Sequence, residues 1–283
     1  MSITRTSIAV IGGSGLYSLF DPADSLIHTI QTPYGAVDVT TGVLAGRSVA
    51  FLPRHGVGHT AAPHLINYRA NIWALASIGV KAIVSTAAVG GVSPDYPPGS
   101  LVLTDQYIDR TSGRADTFYD RGSVQHLSSA DPFCPTLHDA AAVALDGIAI
   151  PTGTVVVIQG PRFSTRAESL WFRAAAAHIV NMTLYPEVPL ASELNIGTVN
   201  IAYVTDADAA PADEELSAEL VFARFAEAQP RIITALESVV AAIPENYAPR
   251  ELIAPAEVAA VLARSASGRC SSPVARASSA TRS

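Results

Sequence analysis

Ser7-Ile8-Ala9-Val10-Ile11-Gly12-Gly13-Ser14-Gly15 decides how this chain is to be read. A short apolar, β-branched run that stops at a cluster of glycines is the pattern of a buried strand ending in a turn the size of a phosphate. Consecutive backbone N–H groups in such a turn can face an anion, with the Ser14 hydroxyl as an extra donor. The pattern recurs: Ser48 to Pro53 reads as a strand ending at Arg54-His55-Gly56. From Asn67 to Gly79, the residues Tyr68, Ile72, Leu75, Ala76 and Gly79 share one helical face, and Val80 to Thr86 follows as a strand.

The rhythm continues along the chain. Leu101 to Thr104, Gly153 to Gln159, Ile179 to Met182 and Gly197 to Thr205 read as strands, with helices over Thr165 to Ala177 and Pro186 to Asn195. Alternation at this spacing predicts an α/β domain, a mixed or mainly parallel sheet covered by helices, with ligands at the carboxyl ends of the strands. Glu214 to Ile243 reads as a long amphipathic helix broken near Pro230, and Glu251 to Ala263 as one more helix. No Pro/Gly/Ser-rich linker interrupts Ile8 to Ile243, so residues 1–264 are assigned to a single domain. Residues 265–283 carry Arg269, Arg276 and Arg282 among Ser and Ala with no acid, and are expected to be a disordered tail.

Composition narrows the classes. With 49% hydrophobic and 15% charged residues over 283 positions, the chain is more apolar than a monomer's core requires, so partner subunits are expected to cover apolar surface. A net charge of −7 argues against a nucleic-acid partner, which needs a basic face. Cys134 and Cys270 are far apart, with no Cys-x-x-Cys or His-rich spacing, so neither a disulfide framework nor a metal site is indicated. Met1 to Ser7 holds no secretory apolar run, and nowhere do about 18 apolar residues follow one another. A soluble, cytoplasmic protein with no membrane partner is expected.

The unusual residues fall at predicted strand ends. Gly-x-Gly-x-x-Gly fails because Leu16-Tyr17 is followed by Ser18, and no Gly-x-x-x-x-Gly-Lys-Ser/Thr occurs. Arg54-His55 offers a planar cation and an imidazole donor to a small oxyanion. Ser85-Thr86-Ala87-Ala88-Val89-Gly90-Gly91 lets backbone amides approach a ligand. In Asn181-Met182-Thr183, Met182 can pack under a sugar while Thr183 donates to phosphate. Thr205-Asp206-Ala207-Asp208 supplies two carboxyls able to accept from an exocyclic amine and to donate to a purine nitrogen. A hard cation would gather more oxygen ligands than adjoin these two. Each feature alone has an ordinary reading: a tight turn, an arginine capping a loop, a methionine filling a core.

As an ordered set, Ile11-Gly12-Gly13-Ser14-Gly15-Leu16, Arg54-His55-Gly56, Asn67 to Leu75, Asp109-Arg110-Thr111, Gln159 to Ser169, Asn181-Met182-Thr183 and Thr205-Asp206-Ala207-Asp208 resemble the methylthioadenosine phosphorylase branch of the purine nucleoside phosphorylases, from Ile8 to Ile243. The resemblance implies a homotrimeric nucleoside phosphorylase fold with a mixed, partly barrel-like sheet, no cofactor, and nucleoside plus inorganic phosphate as substrates. By the same resemblance, Ser14, Arg54, His55, Thr86, Ala87, Ala88 and Thr183 hold phosphate, Met182 lies against the ribose, and Ser164 lines the base side. Asp206 and Asp208, with Ala207 between them, face the purine N7 and 6-amino group, Asp206 as general acid. His126 matches a histidine that a neighbouring subunit brings to the 5′ substituent.

Two departures leave alternatives open. Ala87 stands where some relatives carry Thr, so one phosphate hydroxyl is either missing or supplied by Thr86. Ala209 to Leu220 matches the family's 5′-pocket helix poorly, so the substrate is methylthioadenosine, another 5′-modified adenosine such as a 5′-halo-5′-deoxyadenosine, or adenosine itself. For a 6-oxo purine the site would favour an amide donor where Asp206 stands. Outside phosphorylases, the rivals are a nucleotide-binding dehydrogenase, against which the incomplete glycine fingerprint counts, and a non-catalytic nucleoside-binding module.

Overall fold

The computed structural model describes residues 5–56, 58–208 and 217–265. Strand β1 (Ile8–Gly12) is buried on both faces: Ile8 and Val10 join one core, Ala9 and Ile11 another. A strand covered on both sides reads as an unbroken apolar run. β2 (Leu26–Thr32) and β3 (Gly35–Leu44) form an antiparallel hairpin, and β4 (Arg47–Pro53) pairs antiparallel with β3 and parallel with β1. Helix α1 (Tyr68–Ser77) starts where Asn67 Oδ1 accepts from the Ala70 N–H at 3.2 Å.

Then come β5 (Ala82–Gly91), β6 (Leu101–Thr104), β7 (Gln106–Arg110), α2 (Pro135–Ala144), β8 (Ala149–Ile150) and β9 (Thr154–Ile158). α3 (Arg166–Ala174) opens on a capping box in which the side chains of Thr165 and Glu168 each take the other's backbone N–H. β10 (Ile179–Asn181), α4 (Leu184–Glu193), β11 (Gly197–Asp206), α5 (Ala218–Ala242) and α6 (Pro255–Leu262) complete the order.

All eleven strands belong to one mixed sheet that forks at β5. The first half of β5 pairs with β1, its end pairs antiparallel with β10, and β11 runs parallel along the opposite edge from Ala82 to Gly90. This fork is the form the expected sheet takes. It turns the carboxyl end of β10 back along the second half of β5, where the ends of β1, β4 and β11 also arrive. Side chains of α2 and α5 join one core cluster, and those of α1, α4 and α6 join another. Each fully buried Leu, Ile or Phe contributes about 1.5–3 kcal/mol.

Two expectations are corrected. β5 does not stop at Thr86 but runs to Gly91, because β11 pairs with it through Ala87 and Ala88 despite their poor strand propensity. α5 is not broken at Pro230: the proline is exposed, and Phe225, Ala228, Ile232, Leu236 and Val239 hold the axis against the core on the other side. The hairpin β2–β3 and the elements β7, α2 and β8 had no counterpart in the sequence reading. The start of the long helix at Glu214 and the tail from 266 to 283, with Cys270, lie outside the described residues. Among those described, no helix is long and apolar enough to cross a membrane.

Candidate active site

The ends of β1, β4, β5, β10 and β11 converge on one cleft lined by Ser14, Arg54, His55, Ala87, Ala88, Ser164, Met182, Thr183, Asp206 and Asp208. Its void out to the solvent-open mouth is about 930 Å³. Six buried side-chain polar atoms lack a partner among the described residues, and four of them, His59 Nδ1, Ser164 Oγ, Asn181 Nδ2 and Asp208 Oδ2, belong to residues lining this cleft. Buried polar groups are normally satisfied, so their concentration here marks a surface built for a polar ligand.

At one end the geometry suits an oxyanion. Gly13 N–H donates to Thr86 Oγ1 at 3.0 Å, tying the glycine turn to β5. A Cβ at Gly13 would stand 2.7 Å from Thr86 O and 3.1 Å from the Arg54 guanidinium, so only glycine fits. Arg54 is buried, donating from Nε and Nη2 to the Glu187 carboxylate at 2.6 and 2.7 Å and from Nη1 to Thr86 O at 2.9 Å. Burial opposes its charge, but the Glu187 carboxylate outweighs it and the pKa is raised. Three of the five guanidinium N–H groups are thereby committed, leaving two. Thr183 begins α4 without making a capping bond, so its hydroxyl is not spent on the helix.

Two of the expected phosphate residues have hydrogen bonds of their own. The Thr86 hydroxyl accepts from the Gly13 N–H, and the residue, which does not line the cleft, supports the turn. His55 Nδ1 lies 2.9 Å from Ala61 O, and since a carbonyl only accepts, Nδ1 carries the hydrogen. Burial first, then Arg54 and His59, push its pKa down to about 4, the Ala61 carbonyl opposing. In the neutral ring Nε2 is an acceptor, whereas the sequence reading took the imidazole as a donor.

The other end suits a purine edge. The register of β11 against β5 shifts between Val204 and Asp206, and this irregularity lets Thr205 and Asp206 both line the cleft instead of alternating across the sheet. Thr205 Oγ1 donates to Asp206 Oδ2 at 2.7 Å. Burial raises the Asp208 pKa, while the nearby Ser169 and Ser164 hydroxyls pull it the other way. Met182 also lines the cleft, and Ala207 does not.

A third side is formed by His59 and Pro63 with Ala218, Val221 and Phe222 of α5. His59 stacks on His55 with ring centroids 4.1 Å apart and meets Phe222 edge-on at 5.0 Å. Of the segment Ala209 to Leu220 compared above with the family's 5′-pocket helix, Ala218 lines the cleft, and residues 209–216 lie outside the described residues. His126 is exposed and outside the cleft of its own chain. Sequence reasoning missed His59, Asn181 and Glu187. The signals were present: His59 follows Arg54-His55 in one loop, and Asn181 and Glu187 flank Met182-Thr183. Among the described residues, no three His, Cys, Asp or Glu side chains are grouped to hold a metal ion.

Comparison with known proteins identifies the family. Residues 7–241 match the phosphorylase superfamily. An S-methyl-5′-thioadenosine phosphorylase of Mycolicibacterium smegmatis is 48% identical, over 82% of this chain and 91% of its own. A purine nucleoside phosphorylase of Streptomyces coelicolor is 45% identical, over 86% and 91%. The crystal structure of a variant adenosine/methylthioadenosine phosphorylase from Schistosoma mansoni in complex with methylthioadenosine superposes with a TM-score of 0.79 at 31% identity, over 91% and 97%. With the family match spanning most of its length, the chain belongs to the phosphorylase superfamily and is a nucleoside phosphorylase of the methylthioadenosine phosphorylase family.

Proposed function

We propose that this enzyme cleaves 5′-methylthioadenosine with inorganic phosphate to adenine and 5-methylthioribose 1-phosphate, without a cofactor. The observation that carries this reading is that N–H and O–H donors of Ser14, Arg54 and Thr183, a buried carboxyl pair and Met182 all line one cleft. The relatives' names supply the substrate.

In this reading Ser14, the two uncommitted Arg54 N–H groups, the amides at Ala87 and Ala88, and Thr183 hold phosphate beneath the sugar. A phosphate oxygen bonds to C1′ as the C1′–N9 pair leaves with the purine, inverting C1′. Overall one proton passes from phosphate to base. His55 Nε2, an acceptor, suits a P–OH or ribose hydroxyl. The protonating group is Asp208, pushed toward its neutral form by burial, while Asp206 accepts from the 6-amino group. This moves to Asp208 the proton that the resemblance gave to Asp206. Such general-acid assistance is worth about 10²- to 10⁴-fold.

The oligomer is proposed to be a homotrimer in the cytoplasm, with His126 reaching a neighbouring subunit's cleft. Exposed Leu65, Leu170 and Trp171 support burial against other subunits. Adenosine is the second reading, favoured by one observation: His59 Nδ1, without a partner on the 5′ side, fits a 5′-hydroxyl. Comparing kcat/KM for methylthioadenosine, 5′-chloro-5′-deoxyadenosine, adenosine and inosine tests the assignment. Methylthioadenosine should lead; equal use of adenosine would make this a general adenosine phosphorylase.

A further inference from the structure

Arg54 is the only permanently charged cation among the described residues lining the cleft, and Glu187, behind it and not itself lining the cleft, neutralises it. Both side chains are almost wholly buried, 1% and 4% exposed, so solvent does little to screen the pair. The Ala61 carbonyl holds the His55 hydrogen on Nδ1, and burial disfavours a second proton on the ring. The end assigned to phosphate thus carries a directed fork of N–H donors but no net positive charge.

We propose that Glu187 is a positioning residue for phosphorolysis, setting both the aim and the effective charge of Arg54. This rests on the phosphorylase reading of that end of the cleft. The bidentate pairing, with Thr86 O as a third anchor, fixes the guanidinium plane so that its two remaining N–H groups face phosphate. Cancelling the charge has a separate consequence. A bare buried cation would bind phosphate more tightly in the ground state and draw off the negative charge that stabilises positive charge developing on the ribose. Only interactions stronger in the transition state than in the ground state accelerate the reaction. Glu187 therefore trades phosphate affinity for turnover.

The test is Glu187→Gln, nearly isosteric and uncharged, with inorganic phosphate binding measured by calorimetry beside steady-state kinetics in which phosphate is varied. The phosphate Kd should fall several-fold while kcat falls about tenfold or more. A wild-type Kd together with a wild-type kcat, or a raised Kd with kcat unchanged, overturns the proposal. Removing one partner of a buried pair is destabilising, so Glu187→Asp serves as the second variant. It keeps the charge but is too short to hold the fork, so phosphate Kd should rise and kcat should fall; wild-type values for both overturn the aiming role. Phosphate-independent base release by the wild-type enzyme would instead sink the functional reading itself, which separates the two failures.

Discussion

A Cβ atom on Gly90 would stand 2.9 Å from Asp206 Oδ1 and 2.9 Å from Asp208 Cβ. The two carboxyls approach the second half of β5 only because residue 90 has no side chain. Gly90→Ala should displace them by a fraction of an ångström to an ångström and lower kcat/KM by about 10²-fold, with the circular dichroism spectrum retained. Wild-type activity in that variant would show that the placement of the pair is not critical.

Asp208 yields a pH prediction with a definite sign. Burial raises its folded pKa above the ordinary value of 3.8, so the fold favours the neutral acid. Ionisation then costs the folded state more than the unfolded one, and stability is lost as pH rises from 3.8 through the raised value. Asp208→Asn should therefore melt higher than wild type at neutral pH and at the same temperature near about pH 3. Its kcat/KM should drop by about 10² or more. A pH-independent gap in melting temperature would contradict the assigned burial cost.

How far the sequence carries this account depends on the kind of signal. β1, β4, β10 and β11 were legible because each is an apolar run closed by residues with chemistry of their own. The second half of β5 was not, since Ala87, Ala88, Gly90 and Gly91 have weak strand preference and only pairing with β11 extends them. Pro230 misled for a similar reason: tertiary packing of one helix face overrode a local breaker. At the site, Arg54 and the two aspartates were visible as residue types. The hydrogen-bond commitments of Thr86 and His55, and the pairing of Glu187 across 133 positions, are long-range contacts that no local pattern encodes.

Base selectivity should follow Asp206. An ionised carboxylate accepts from a 6-amino group and repels a 6-oxo oxygen, a difference of about 1–3 kcal/mol. Asp206→Asn should shift the ratio of kcat/KM for adenosine over inosine toward inosine by about 10-fold or more. An unchanged ratio would mean that Asp206 does not read the base.

Oligomerisation should be tied to activity through His126. Light scattering is expected to give the mass of a trimer, and His126→Ala should keep that mass while raising the KM for methylthioadenosine. A fully active monomer would refute both the trimer and the borrowed histidine.

The central claim is phosphorolysis, and it is tested most directly by following adenine release from methylthioadenosine in phosphate-free buffer, with phosphate added, and with phosphate plus a chelator. The account predicts negligible release without phosphate, saturable release with it, formation of 5-methylthioribose 1-phosphate in equal amount to adenine, and no effect of the chelator. Equal release without phosphate, yielding free methylthioribose, would make the enzyme a hydrolase and contradict the account.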